Sequence, residues 1–188
     1  MSVLSLNRQQ AKVQWFGSHP SEPSPSMRVY REYLYASCKK EDRFEIRCWP
    51  RTGVAIGRGT RTGNIFGKYF RYALRVAGSS WGEIVHFLDH SSGYLVPWVP
   101  KEKKVVVTLH DLIPLRVPIG LSDAQLARFR RSVFCLQNCD AIITVSNYSK
   151  NEAIELLKID EEKIHVVPNG VAVPEEGLTI CPSVKELR

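Results

Sequence analysis

The sequence predicts an α/β domain, a parallel sheet with helices on both faces. Three observations carry this reading. Apolar, β-branched runs of strand length alternate along the chain with segments of helical period. Two of those runs, KVVVTL and AIITV, alternate little, as strands covered on both faces do. The 188 residues, 44% hydrophobic and 24% charged, suit one domain of ordinary size and exclude a disordered chain.

The elements follow in order. Lys12–Phe16 (KVQWF) reads as a short strand, and Ser18–Ser26 (SHPSEPSPS) as a loop, because proline and serine punctuate it. Met27, Tyr30 and Leu34 set a helical period across Met27–Cys38. Phe44–Trp49 alternates like a strand and Pro50 ends it. A glycine-rich loop runs from Arg51 to Gly63. Ile65–Ala77 reads as a helix whose Lys68, Arg71 and Arg75 share one arc, with Ile65, Phe66, Tyr69, Ala73 and Val76 opposite. Glu83–Leu88 is a strand, Ser91–Trp98 a short helix stopped by Pro100, and Lys104–Leu109 a buried strand. His110–Leu121 is a loop with two prolines. Ser122 opens a helix as N-cap, with Asp123 and Gln125 in its first turn, running to about Asn138. Ala141–Val145 is a strand, Ser146 or Asn147 caps a helix through Lys158, Lys163–Val167 is the last strand, and Pro168, Asn169 and Gly170 form a turn.

The charge is lopsided. Residues 1–100 hold 14 basic and 7 acidic side chains, residues 101–188 hold 12 of each, and Ile46–Gly82 holds seven basic and no acidic ones. Such a patch points to an anionic partner. Arg58, Arg61, Lys68, Arg71 and Arg75 are the candidates for an anion or membrane contact; a solvated helix face and surface loop would show the same pattern. No nucleic-acid partner is expected, since the basic span carries no recognisable binding motif. The first residues lack the pattern of a signal peptide, no run approaches a membrane span, and the five cysteines have no framework spacing. The expected location is cytoplasmic, peripheral at the inner face of a membrane. Gly57–Gly63 (GRGTRTG) is one residue too long for a dinucleotide fingerprint. Cys135 and Cys139 have no second ligand pair near them, so no metal is expected.

In parallel sheets, ligands sit beyond the carboxyl ends of the strands. The polar residues that the strand assignments place there are Asp89, His90, His110, Asp111, Ser146, Asn169 and Gly170. His and Asp at such an edge bind hydroxyls or meet developing charge, and a Ser at a strand–helix junction offers a hydroxyl beside free helix N–H groups. Each also has a bland reading: Asp89, Asp111 and Ser146 can simply cap local backbone.

The order of these pieces is more specific than any one of them. VVVTLHDLIP, CDAIITVSNYSK and EKIHVVPNGV, within about Glu83–Val173, resemble the N-terminal, acceptor-side domain of retaining GT-B glycosyltransferases, of the glycosyltransferase family 4 (group 1) type. The resemblance implies a Rossmann-like domain over residues 1–173, one half of a GT-B fold, with 174–188 a tail at the start of a donor-binding domain. It implies sugar transfer from a nucleotide-sugar donor, a co-substrate and not a resident cofactor, to a glycan or lipid-linked acceptor. It matches His110 to the family's cleft histidine, the catalytic candidate, Ser146 to the strand-end serine, and Asn169 and Gly170 to the interdomain turn. The first loop departs from the family by having no glycine after Gly17 before Met27. Since 18 residues follow Gly170, the expectation is a domain inactive alone, either truncated or completed by a second chain that carries the donor site. The alternative is a non-catalytic carbohydrate- or membrane-binding remnant.

Overall fold

The structure, a computed structural model, describes residues 10–17, 25–49 and 70–170. In chain order the elements are β1 (Ala11–Phe16), α1 (Pro25–Cys38), β2 (Phe44–Trp49), α2 (Tyr72–Ala77), β3 (Ile84–Phe87), a 3-10 segment (His90–Trp98), β4 (Lys104–Leu109), α3 (Ile113–Arg116), α4 (Asp123–Phe134), a 3-10 segment (Cys135–Asn138), β5 (Ala141–Thr144), α5 (Asn147–Leu157), a 3-10 turn (Glu161–Lys163) and β6 (Ile164–Val166). The α/β class is the predicted one. Six strands, all parallel, lie in the order β2-β1-β3-β4-β5-β6.

The pleat divides the core. On one face Phe16 stacks on Phe87, ring centroids 5.6 Å apart, and on Tyr72 of α2 at 5.9 Å. Leu95, Val107, Val133 and Leu136 continue that cluster. On the other face Val13 and Trp15 pack under Tyr30, Leu34 and Tyr35 of α1. Burying each such ring or branched chain contributes roughly 1.5–3 kcal/mol. β4 is buried along most of its length, which is why its sequence is a continuous apolar run.

Several boundaries differ from the sequence reading, each for a local reason. The helix read from Met27 begins at Pro25, inside the stretch read as loop; a proline's missing N–H costs nothing in the first turn. His90–Trp98 is 3-10 rather than α, with Pro97 inside it unable to donate a ladder bond. The loop after His110 contains the one-turn α3, started by Pro114 at its second position. The helix from Ser122 carries the predicted cap: Gln125 N–H donates to Ser122 Oγ and Ser122 N–H to Gln125 Oε1. It tightens to 3-10 at Cys135. Ser146, not Asn147, caps α5. The strands read over Ala141–Val145 and Lys163–Val167 are each shorter, Ala141–Thr144 and Ile164–Val166. Of the helix read over Ile65–Ala77, α2 covers Tyr72–Ala77, with Tyr72, Ala73 and Val76 buried and Arg71 and Arg75 exposed. Residues 65–69, with Lys68, lie outside the described residues, as do the glycine-rich loop with Arg58 and Arg61 and the proline-rich loop up to residue 24. Among the described residues no helix is long and apolar enough to cross a membrane.

Candidate functional site

The strand order places the site. From β1 the chain crosses to β2 on one side, and from β3 it proceeds to β4 on the other. The strand order therefore switches between β1 and β3, the place where sheets of this kind open a crevice beyond the carboxyl ends of their strands. Gly17 follows β1 and Leu88 follows β3. Leu88 N–H donates to Phe16 O at 3.0 Å, holding the two ends level. The Tyr72 hydroxyl donates to Gly17 O at 2.6 Å, anchoring the rim from α2.

Two histidines meet beside this crevice. His110 follows β4, and its Nε2 lies 3.0 Å from Leu88 O. A carbonyl only accepts, so Nε2 carries the proton and Nδ1 keeps the lone pair of the neutral ring. His110 backbone N–H donates to His90 Nδ1 at 3.4 Å, which makes the neutral His90 the Nε2–H tautomer. The two rings stand 6.2 Å apart. His90 Nδ1 is also 3.7 Å from Asp89 Oδ1. His90 is 8% and Asp89 7% exposed, so this group is walled by protein and not spread over the surface.

Backbone and hydroxyl groups fix the loops. Ser132 of α4 sets its hydroxyl 3.0 Å from His90 O and 2.8 Å from Ser91 O, and accepts from Tyr94 N–H at 3.2 Å. The approach is close enough that a Cβ on Gly93 would stand 2.4 Å from Ser132 O and from Leu136 Cδ1. Ser149 of α5 donates its hydroxyl to His110 O at 2.8 Å, and Ser146 Oγ accepts from Ser149 N–H at 3.1 Å. Arg116 of α3 bonds Glu152 at 3.3 Å and Glu155 at 2.6 Å, tying the segment after His110 to α5.

Beneath His110 lies a buried polar chain. Tyr30 of α1 presents its ring perpendicular to His110, centroids 5.0 Å apart. Its hydroxyl bonds Thr108, and burial outweighs that bond and raises the phenol's pKa above the usual value. Thr108 Oγ1 is 2.9 Å from His86 Nε2. Full burial pushes the His86 imidazole down to about 4, so it is neutral near pH 7. Arg31 of α1 packs against Gly17, where an added Cβ would meet its Nη1 at 3.1 Å.

The sequence-predicted residues therefore separate into groups. Asp89, His90 and His110 come together, and Ser146 joins them through Ser149. Asp111 is adjacent, but its Oδ1 accepts from Ile113 N–H at 3.1 Å, the capping role. Asp89 also caps, accepting from Ser91 N–H at 2.8 Å. Asn169 and Gly170 follow β6, two strands from β4, and are exposed. Arg75 sits on α2 and Arg71 immediately before it, and neither bonds the histidines in the contacts described above. Among the described residues no three His, Cys, Asp or Glu side chains converge as metal ligands. The sequence reading missed Tyr30, Arg31, His86, Thr108, Ser132 and Ser149. Tyr30 alone left a trace, as a core position of the helix period; the others act through partners 14 to 42 positions away.

A family model described as Glycosyltransferase Family 4 matches residues 6–173. No curated protein matches the chain.

Proposed function

The chain belongs to glycosyltransferase family 4, and from that premise we propose that it is the acceptor-side domain of a sugar transferase that takes its donor as a nucleotide sugar. The observation that carries the reading is the paired, tautomer-fixed His90 and His110 at the strand switch. Both rings are held by backbone groups, so they are oriented before any ligand arrives, which is how a polar site gains selectivity without reorganisation. In the neutral His110 the Nδ1 lone pair is the hydroxyl acceptor.

Sugar transfer also requires stabilisation of a leaving diphosphate. Among the described residues the group assembled at the switch contains one cation, Arg31. We therefore assign the donor chiefly to a second domain, and the glycan or lipid-linked acceptor to this one. Arg75 on α2 and Arg71 just before it, both exposed, extend the reading to an anionic membrane surface. Unchanged binding to anionic liposomes after charge reversal at both would remove that extension.

The test is ligand binding to the purified chain followed by NMR. Oligosaccharide acceptors should perturb signals of His90 and His110 saturably, and His110→Ala should abolish this. Nucleotide sugars alone should perturb them little, and the chain alone should transfer no sugar. Tight nucleotide-sugar binding without any acceptor binding, or sugar transfer by the chain alone, would reverse the assignment.

A further inference from the structure

A second site lies on the far side of the sheet's short end. A groove of about 690 Å³ runs between β1, the edge strand β2 and the turn that follows α2. Its polar lining comes from Gln14, Arg47, Arg75, Ser79, Ser80 and Trp81, and none of the residues lining it is acidic. None of Asp89, His90 and His110 lines the groove, so it is separate from the histidine pair.

The groove's wall is built and not a loose turn. Lys103, 8% exposed, donates its ammonium protons to Trp81 O and Gly82 O from below. Gly82 adopts a φ of +78°, and a Cβ there would meet Lys12 O at 2.9 Å, so only glycine permits this chain path. Above it, Arg47 Cζ lies over the Trp81 ring, 4.3 Å from its centroid, a cation–π contact that holds the guanidinium beside the groove. The contact of Arg47 with Glu45 is long, 3.8 Å, between side chains 58% and 42% exposed, too weak to satisfy it. Gln14 gives its amide N–H groups to Arg47 O at 2.9 Å and Trp15 O at 3.3 Å, which turns its amide oxygen into the end available for a ligand.

We propose that this groove binds a phosphate ester of a sugar. Two guanidinium groups with no acid among the lining residues select an anion, and arginine's planar fork matches phosphate. Ser79, Ser80 and the Gln14 amide suit the hydroxyls of a pyranose. A nucleobase fits less well: Trp81 is already covered by Arg47, and Trp49 is packed on Tyr72 at 4.5 Å, so no open aromatic pair is left to sandwich one. The volume is that of a small-molecule site. This inference stands independently of glycosyl transfer.

The experiment is titration calorimetry on the whole chain with glucose-1-phosphate, glucose and inorganic phosphate in turn. Glucose-1-phosphate should bind saturably and more tightly than inorganic phosphate, and glucose should not bind measurably. Arg47→Gln and Arg75→Gln change exposed side chains, so both should keep the wild-type circular dichroism. Each should weaken binding about tenfold, the loss of one charged hydrogen bond. No saturable binding of glucose-1-phosphate, or binding that both variants leave unchanged, would overturn the proposal. Equal affinity for inorganic phosphate would overturn the sugar assignment, and competition with an oligosaccharide bound at the histidine pair would overturn the separateness of the site.

Discussion

Acidification should weaken this fold through His86. The imidazole is fully buried, with Trp15 edge-on at 5.9 Å and Thr108 Oγ1 at 2.9 Å. Burial disfavours the charged ring and holds its pKa near about 4, against 6.5 for an exposed histidine. The unfolded chain therefore takes up a proton between those two values that the folded chain does not. The stability from neutral His86 is complete above pH 6.5, falls as pH drops toward about 4, and levels off below that. The slope is about 1.4 kcal/mol per pH unit, and the whole loss roughly 3 kcal/mol. That is a large fraction of a typical domain's 5–15 kcal/mol or so. The assay is urea unfolding at a series of pH values from neutral to about pH 4, on the wild type and on His86→Gln. Glutamine can still bond Thr108 but does not titrate, so its stability should fall less steeply, with the difference between the two curves changing by roughly 3 kcal/mol. Parallel curves across this range would refute the assignment of the shift to burial of His86.

Three further outcomes follow from the same contacts. Gly93→Ala drives a methyl group to 2.4 Å from Ser132 O and Leu136 Cδ1; it should cost about 1–3 kcal/mol, read as a fall in melting temperature, and a neutral result would contradict the close approach. Tyr30→Phe leaves Thr108 without its phenol partner; it should cost about 1 kcal/mol and shift the His110 ring signals less than Tyr30→Ala, which removes the perpendicular ring itself. Glu155 is exposed and Glu152 buried, so Glu155→Gln should cost less than about 1 kcal/mol, while Arg116→Met, which strips the cation from buried Glu152, should cost clearly more. The reverse order in denaturant unfolding would sink that reading of the clamp.

How much of this was legible in the amino-acid order can be judged from particular residues. KVVVTL announced a strand buried on both faces because every second position had to be apolar on each side. Ser122 and Gln125 announced a helix start because the capping box is a contact between neighbours. The same local logic failed at His90–Trp98, where Pro97 cannot donate a ladder bond and the carbonyls of His90 and Ser91 are taken by Ser132, some forty positions away. It also placed the helix start two residues late, because Pro25 reads as a loop residue until it stands at a helix's first turn.

The sequence by itself determined the α/β class, the strands and most helices, and the set of His, Asp and Ser residues at strand ends. These follow from periodicity and from bonds between near neighbours, which any stretch of chain carries within itself. Only the tertiary structure decided that the sheet order switches between β1 and β3, that His90 and His110 meet there, and that Tyr30, Thr108 and His86 form a buried chain beneath them. It also decided that β2's open edge meets the turn after α2 to form a groove. Those facts depend on which strands become neighbours, a choice made by packing across the whole domain and written in no single segment.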